Sequence, residues 1–591
     1  MLAILEYFNC LPTIIVFYAL WCSNILKFLW ELLVVWPWGL KSARKQAIAR
    51  AKQRREQGFL YWKELVDKAT QTQRDEWVRI SSLGLDQLRE LLQKEEITAK
   101  DALLAYIQRA LQVQEKFNPI TEIITEAMEY AEEVDQEWIG KKDKPYLYGV
   151  PFSVKSNFHL VGYDCHIGLG KMLEQPKQRE NTMVTHLRYL GAVPFCLTNV
   201  PQGLLSFVCS NSVYGTTGNP HDNSRTPGGS SGGEACLVTA HGTPFGTGSD
   251  VGGSLRIPAA LSGCVALKCG QERMVVLHSH GGVPGRGRLG LGFGYFTRSV
   301  TEQIELLKET LGHSNFSLIS PTTPAVPFNL QTVTSKKPLR IGYFEDDGYV
   351  APVPAMQRAV KDTVKLLRAQ GHEMIKFSVP DPQKMAMLVF KNLLPDGGQY
   401  TKELYEADVV DDHMKEFVRL LSLPSIGRTL LKLIFSFISP QVSLVCASEL
   451  KTLTELRQAQ EDTDDYKQEF IEYWRELGID ALVCPAFPIP AVKHHWPSNL
   501  GFCAVSTTLF NLLDFPAGVV PVGKVTEEDD RDLKDETKFP VGWNLALSYM
   551  RRAAAHCEGL PTSVQVVTLP YQEEICLRVM KEIESVAGYK E

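Results

Sequence analysis

The residues GGSSGGEACLVTAHGTPFGTGSDVGGSLRIPAALSGCVALK, Gly228 to Lys268, decide how the rest of the chain reads. Two serines, Ser230 and Ser254, stand in separate glycine-flanked turns. Glycine lets the backbone enter conformations that a Cβ forbids and leaves its N–H groups uncovered. A serine beside bare N–H donors supplies what acyl transfer needs, a nucleophile and a cradle for a developing oxyanion. A connector of this length is rarely so dense in glycine and serine without function.

Three chemistries compete for these residues. Gly229 to Gly233 satisfies G-x-S-x-G with Ser231 central, a pattern that needs a strand before it and a late histidine such as His556. The preceding NPHDNSRTP, Asn219 to Pro227, is a turn-rich loop, which speaks against it. Gly285 to Gly290, GRGRLG, matches a dinucleotide fingerprint but lacks the flanking strand and helix. The third chemistry uses a lysine. Upstream, YLYGVPFSVK, Tyr146 to Lys155, reads as a buried strand that ends on Lys155. Such a lysine either snorkels to water or is held dry, where its ammonium is disfavoured and the amine becomes a base. On residue type alone, snorkelling is the expectation. Held dry, Lys155 would draw a proton from Ser254 through Ser230. The consecutive N–H groups of Val251, Gly252, Gly253 and Ser254 would then form the oxyanion hole. Glycine beside Ser230 permits an unusual backbone there, even a cis peptide. Asp250 and Arg256 are expected to brace the second turn.

Working outward, strands are expected at Ala192–Leu197, Leu339–Phe344, Glu373–Phe377, Asp480–Cys484, Ala517–Val522 and Ser563–Val567. Helices are expected around Val184–Leu190 and over Met356–Gln370. Another helix should start at the Thr98–Asp101 cap and end at Asn118-Pro119. The alternation implies an α/β protein with one mixed, largely parallel sheet covered on both faces. A net charge of −6 argues against nucleic acid as a partner. Thirteen cysteines without a CxxC pair read as reduced, buried side chains and not as a zinc site.

At the N-terminus, Tyr7 to Leu26 carries no charge and would span about 30 Å as a helix, one bilayer core. A second apolar run to Leu40 carries Trp36 and Trp38, and a basic stretch from Lys41 to Arg55 follows. A cleaved signal peptide fits poorly, for want of a basic n-region and a small-residue cleavage site. The expected organisation is a transmembrane anchor over 1–40, a basic juxtamembrane helix or linker over 41–82, and a catalytic domain over 83–591. The positive-inside tendency places that domain in the cytoplasm. The host membrane is expected to be the endoplasmic reticulum or another endomembrane. Residues 423–445 are apolar, punctuated by Arg428 and Lys432 and interrupted at Pro440. They read either as a core helix or as a segment lying in a membrane interface.

GGSSGG, SDVGGSLRIPA and the upstream GVPFSVK together resemble the amidase signature family, from about Leu83 to the C-terminus. TNVPQ at Thr198–Gln202, FNLLDFPAGVVPV at Phe510–Val522 and GLPTSVQVVTLPYQEE at Gly559–Glu574 resemble its membrane-anchored fatty-acid amide hydrolase branch. The resemblance implies the amidase signature fold, a twisted mixed β-sheet core surrounded by α-helices. It implies Lys155 as base, in place of the snorkelling reading, with Ser230 as shuttle and Ser254 as the acylated nucleophile. It implies a homodimer, an apolar acyl channel, Leu204 on the substrate pocket, and 423–445 as a membrane-binding cap. No metal or cofactor is implied. The substrates would be lipids, primary fatty amides and N-acylethanolamines. A glutamine amidotransferase-type subunit and a catalytically silent membrane scaffold are the alternatives. The family pattern ends the stretch with a GLKP-type sequence; here it is ALKCGQ, Ala266 to Gln271, with Cys269 at the proline position. Leu204 and Leu205 also replace bulkier residues.

Overall fold

Eleven strands form one sheet: β1 Ile120–Ile123, β2 Pro151–Lys155, β3 Val193–Thr198, β4 Gly246–Asp250, β5 Val265–Lys268, β6 Gly292–Thr297, β7 Arg340–Tyr343, β8 Glu373–Lys376, β9 Ala481–Pro485, β10 Ala517–Lys524 and β11 Pro561–Val567. The computed structural model describes residues 36–285, 287–423 and 425–589. Across the sheet the order is β1-β3-β2-β4-β6-β5-β10-β11-β9-β7-β8. The expected strands are present, each displaced at its ends by a few residues. The helices expected around Val184–Leu190 and Met356–Gln370 run over Thr182–Tyr189 and Pro354–Ala369.

The sheet is mixed but not largely parallel, which corrects the sequence expectation. Only β2/β3, β2/β4, β7/β8 and β7/β9 pair in parallel. The other six neighbouring pairs are antiparallel. The cause is visible around the serine stretch. Strand β6 inserts between β4 and β5 and runs against both. Alternation of strands and helices along the chain does not fix which strand becomes whose neighbour.

Both faces are covered. In β9, Ala481 and Val483 enter one apolar cluster while Leu482 and Cys484 enter another. That period of two is what a strand buried on both sides requires. The helix Ala99–Phe117 starts as expected, with the Thr98 N–H donating to Asp101 Oδ2 at 3.1 Å and the Asp101 N–H to Thr98 Oγ1 at 3.0 Å. It ends where Asn118 turns left-handed at φ 59°.

Helix Trp36–Asp67 lies against the body. Its Trp62 is buried and stacks on Phe195 of β3, ring centroids 5.8 Å apart. Arg54 pairs with Glu122 at 3.0 Å. No helix among the described residues is long and apolar enough to cross a membrane. The expected span, Tyr7 to Leu26, lies outside the described residues. Residues 423–445 fall mainly in two helices, Ser425–Ile438 and Pro440–Ala447, separated where Pro440 removes a backbone donor. On the first helix Leu433, Ile434 and Phe437 are 61%, 54% and 80% exposed. Ten cysteines with described side chains are buried, with no disulfide among them.

Candidate active site

Strand β2 delivers Lys155 to the interior, where no part of it reaches solvent. Its Nζ lies 2.9 Å from Ser230 Oγ and 3.1 Å from both the carbonyl and the hydroxyl of Ser249. Burial is the main influence on this amine and pulls its pKa down to about 7, against the upward pull of Asp250 and Glu234. In its neutral form the amine has two hydrogens, which suit the two Ser249 oxygens. Its lone pair is then left for the Ser230 hydroxyl. Residue type alone pointed to snorkelling; the structure shows a lysine held dry.

The peptide between Gly229 and Ser230 is cis. Ser230 is 3% exposed and makes its side-chain contact with Lys155. Its neighbour Ser231 is fully buried, and its hydroxyl donates to the Ser254 carbonyl at 2.6 Å. Ser231 thus ties the two serine turns together. His556, the histidine a G-x-S-x-G hydrolase would need, is exposed, its N–H on Asp530. Gly285–Gly290 leads directly into strand β6, with no helix after it.

Ser254 is partly exposed, and its hydroxyl makes no hydrogen bond among the described residues. The turn that presents it is held by one buried ion pair. Arg256 donates from Nε to Asp250 Oδ2 and from Nη2 to Oδ1, both at 3.0 Å. Burial pushes the Asp250 carboxyl up, but Arg256 and the donors around it outweigh this and hold it well below the usual carboxylate range. Arg256 also reaches the Thr507 carbonyl at 2.7 Å and Asn511 Oδ1 at 2.6 Å. Asn511 returns a bond to the Asp250 carbonyl at 2.8 Å. One expectation is corrected here. The Gly253 N–H donates to Asp250 Oδ1 at 2.7 Å, so it is not free for an oxyanion. The amides of Val251, Gly252 and Ser254 have no protein acceptor among the described residues. Gly253 has φ +114°, and a Cβ there would lie 2.2 Å from Thr507 Oγ1, so no other residue fits that turn.

The amidase family model matches residues 101–577. This chain belongs to the amidase family. It is 38% identical over 517 residues to fatty acid amide hydrolase 1 of Caenorhabditis elegans, covering 87% of this chain and 89% of that protein. It is 34% identical over 555 residues to fatty-acid amide hydrolase 1 of Sus scrofa, covering 93% of each. A solved fatty acid amide hydrolase structure superposes with a TM-score of 0.74 at 21% identity, over 92% of this chain and 95% of that one.

Sequence reasoning missed four residues of this amidase site. Thr247 and Ser249 share one face of β4: Thr247 Oγ1 accepts the Lys155 N–H at 3.2 Å and Ser249 grips the amine. A period-of-two reading of GTGSD would have found both, had that segment been recognised as a strand. Asn157 donates to Ser249 Oγ at 3.0 Å and to the His280 carbonyl at 2.7 Å. Glu234 is fully buried, and burial pushes its carboxyl up to about 8. Its signal was a lone acid in an otherwise small and apolar helix, Gly232–Thr239.

Leu204 is 7% exposed and packs with Leu404, Tyr405 and Met414 in a small apolar cluster. Tyr405 Oη donates to the Gln202 carbonyl at 2.7 Å and pins that cluster to the TNVPQ segment. The Cys269 N–H donates to the Phe293 carbonyl at 3.1 Å, a bond proline could not make, so the cysteine extends the β5/β6 ladder. A polar cleft of about 460 Å³, lined by Gln271, Arg288, Asp464, Lys467 and Asp514, opens beside Gly290, which exchanges hydrogen bonds with Asn511.

Proposed function

We propose that this amidase hydrolyses long-chain fatty acid amides, releasing fatty acid and ammonia or amine, through an acyl-enzyme on Ser254. The observation that carries the mechanism is the dry Lys155 amine 2.9 Å from Ser230 Oγ. Ser254 gives its proton through Ser230 to Lys155 and attacks the amide carbon. Free amides at the turn receive the oxyanion, each donor contributing roughly 3 kcal/mol. The same relay in reverse protonates the departing nitrogen, since an amide anion is a poor leaving group. Water then cleaves the acyl-enzyme. The substrate class rests on the names of the two relatives and on the apolar face at Leu433, Ile434 and Phe437.

Incubating the purified protein with oleoyl amides should release oleic acid. Absence of release from primary amide and ethanolamide alike would overturn the reading. The base must be neutral to act, so kcat/KM should fall as pH drops below about 7. A rate unchanged between pH 8 and about 5.5 would exclude a base of this kind.

The N-terminal apolar stretch and the exposed face of helix Ser425–Ile438 are read together as the membrane attachment, with the body on the cytoplasmic side of an endomembrane. Phe437→Glu puts a charge where a phenyl ring would enter lipid. It should slow hydrolysis of a long-chain amide in vesicles by about tenfold or more, from the transfer energy of one aromatic side chain. A short soluble amide should be cleaved at the unchanged rate; equal rates on both substrates would remove the membrane assignment. Leu204 is assigned to the wall of the acyl pocket and the working unit to a homodimer, the latter testable by light scattering in detergent.

A further inference from the structure

The site holds a buried carboxyl that the cycle above does not use. Glu234 stands on the first turn of helix Gly232–Thr239, four residues after Ser230 in the chain. Its Oε2 accepts a short hydrogen bond from Ser153 Oγ. Ser153 and Lys155 alternate along β2 and so share one face of it. Across from them, a Cβ on Gly246 would lie 2.0 Å from Glu234 Oε2, so the carboxyl is pressed against the β4 backbone. The second oxygen, Oε1, is buried with no well-formed hydrogen bond among the described residues, although the Thr198 hydroxyl and the Thr247 amide lie near enough to favour the carboxylate. A carboxyl buried in that position is costly to fold around.

The other ionisable groups facing Lys155 are accounted for. Asp250 is consumed by Arg256, by the amides of Gly253 and Leu255, and by Asn511. Burial raises the Cys209 thiol to about 12 and the Cys196 thiol, which neighbours Glu234, well above its ordinary value, so both stay protonated. That leaves Glu234 as the group able to change charge in answer to the lysine, and burial has moved the two toward each other on the pH scale.

We propose that Glu234 is a positioning residue that acts through Lys155: amine and carboxyl titrate as one coupled pair, and the carboxyl sets how readily the amine takes up the serine proton. No bond is made or broken at Glu234. With one proton on the pair, the neutral amine beside the neutral acid exchanges with the ammonium beside the carboxylate. The carboxylate form stabilises the ammonium that appears when Ser254 is deprotonated. This rests on the reading of Lys155 as the base.

The test is the pH dependence of kcat/KM for a fatty acid amide in the wild type, Glu234→Gln and Ser153→Ala. In the wild type, the acid limb should spread over two ionisations. In Glu234→Gln it should sharpen to one, with its midpoint lower by about half a pH unit or more, because the ammonium has lost its carboxylate. Ser153→Ala removes one of the bonds that favour the carboxylate and should move the limb in the same direction by less. A Glu234→Gln profile that superimposes on the wild type, or lies below it by one factor at every pH, overturns the inference and makes Glu234 structural. If Glu234→Gln does not fold by circular dichroism, Ser153→Ala decides alone, and an unmoved limb overturns it. Lys155→Ala separates the two readings: retained activity there would defeat the lysine base itself, whatever the Glu234 variants show.

Discussion

Ser254→Ala should abolish amide hydrolysis while leaving the fold intact, with kcat/KM falling by about 10⁴-fold or more. The size follows from the role: removing the nucleophile removes the covalent route, and what remains is binding and polarisation by the free amides. The intact fold follows from the geometry. The Ser254 hydroxyl has no hydrogen-bond partner among the described residues, so deleting it leaves no buried group unsatisfied. Its unfolding free energy should match the wild type to within about 0.5 kcal/mol. Ser231→Ala provides the contrast. It loses the 2.6 Å bond that ties the first serine turn to the Ser254 carbonyl, so it should lower both stability and rate. Fatty acid release measured by mass spectrometry, with the mass of the acylated protein as a second readout, checks both. Ser254→Ala activity within tenfold of the wild type would move the nucleophile elsewhere, with Ser230 next in line.

The strand that presents Lys155 was legible because YLYGVPFSVK, Tyr146 to Lys155, is apolar and rich in β-formers, although only its second half, Pro151–Lys155, forms the strand. The two strands beside the serine turns were not. GTGSD is a weak strand former by composition, since glycine carries no side chain to pack, whereas GFGYFT is rich in β-formers and lay hidden only by its place next to the glycine-rich turns. Their glycines are there for closeness. Gly248 pairs with Gly294, where a Cβ would lie 1.8 Å from the Leu267 carbonyl. In GTGSD, burial by backbone contact leaves no hydrophobic pattern to read. Missing those strands hid Thr247 and Ser249 and left the sheet read as largely parallel. The proposed catalytic trio was legible for the opposite reason. Serines set among glycines are chemically loud, and the family resemblance singles out Ser230 and Ser254 among them. Lys155 shows the boundary between the two kinds of information: residue type pointed to snorkelling, the motif to a dry base, and only the packing around β2 explains why the motif prevails. The commitment of the Gly253 amide to Asp250 could not be read from sequence, because it depends on which way one carboxylate faces.

Arg256→Ala should be the most destabilising single change at the site, by about 3–5 kcal/mol, the range for stranding one member of a buried pair. Both side chains are fully inaccessible to solvent. The wild-type pair holds Asp250 below its ordinary range, so its contribution is complete above about pH 4 and is lost as pH falls from there through the depressed folded value. Without Arg256 the burial that already opposes ionisation prevails, and the carboxyl is driven toward its neutral form. A protonated Asp250 holds the Gly253 amide less firmly, so the turn presenting Ser254 should loosen and the rate should fall with the stability. Arg256→Lys should not rescue, because an ammonium cannot span both carboxylate oxygens while reaching Thr507 and Asn511. The double variant Asp250→Ala/Arg256→Ala is the sharper measurement. Removing both charges leaves a cavity but no stranded ion, so it should cost less than the sum of the two single changes, by about 1–3 kcal/mol in a urea-unfolding cycle. An additive cycle would mean that the two residues act independently, and that the serine turn is held by the Asn511 and Thr507 contacts alone.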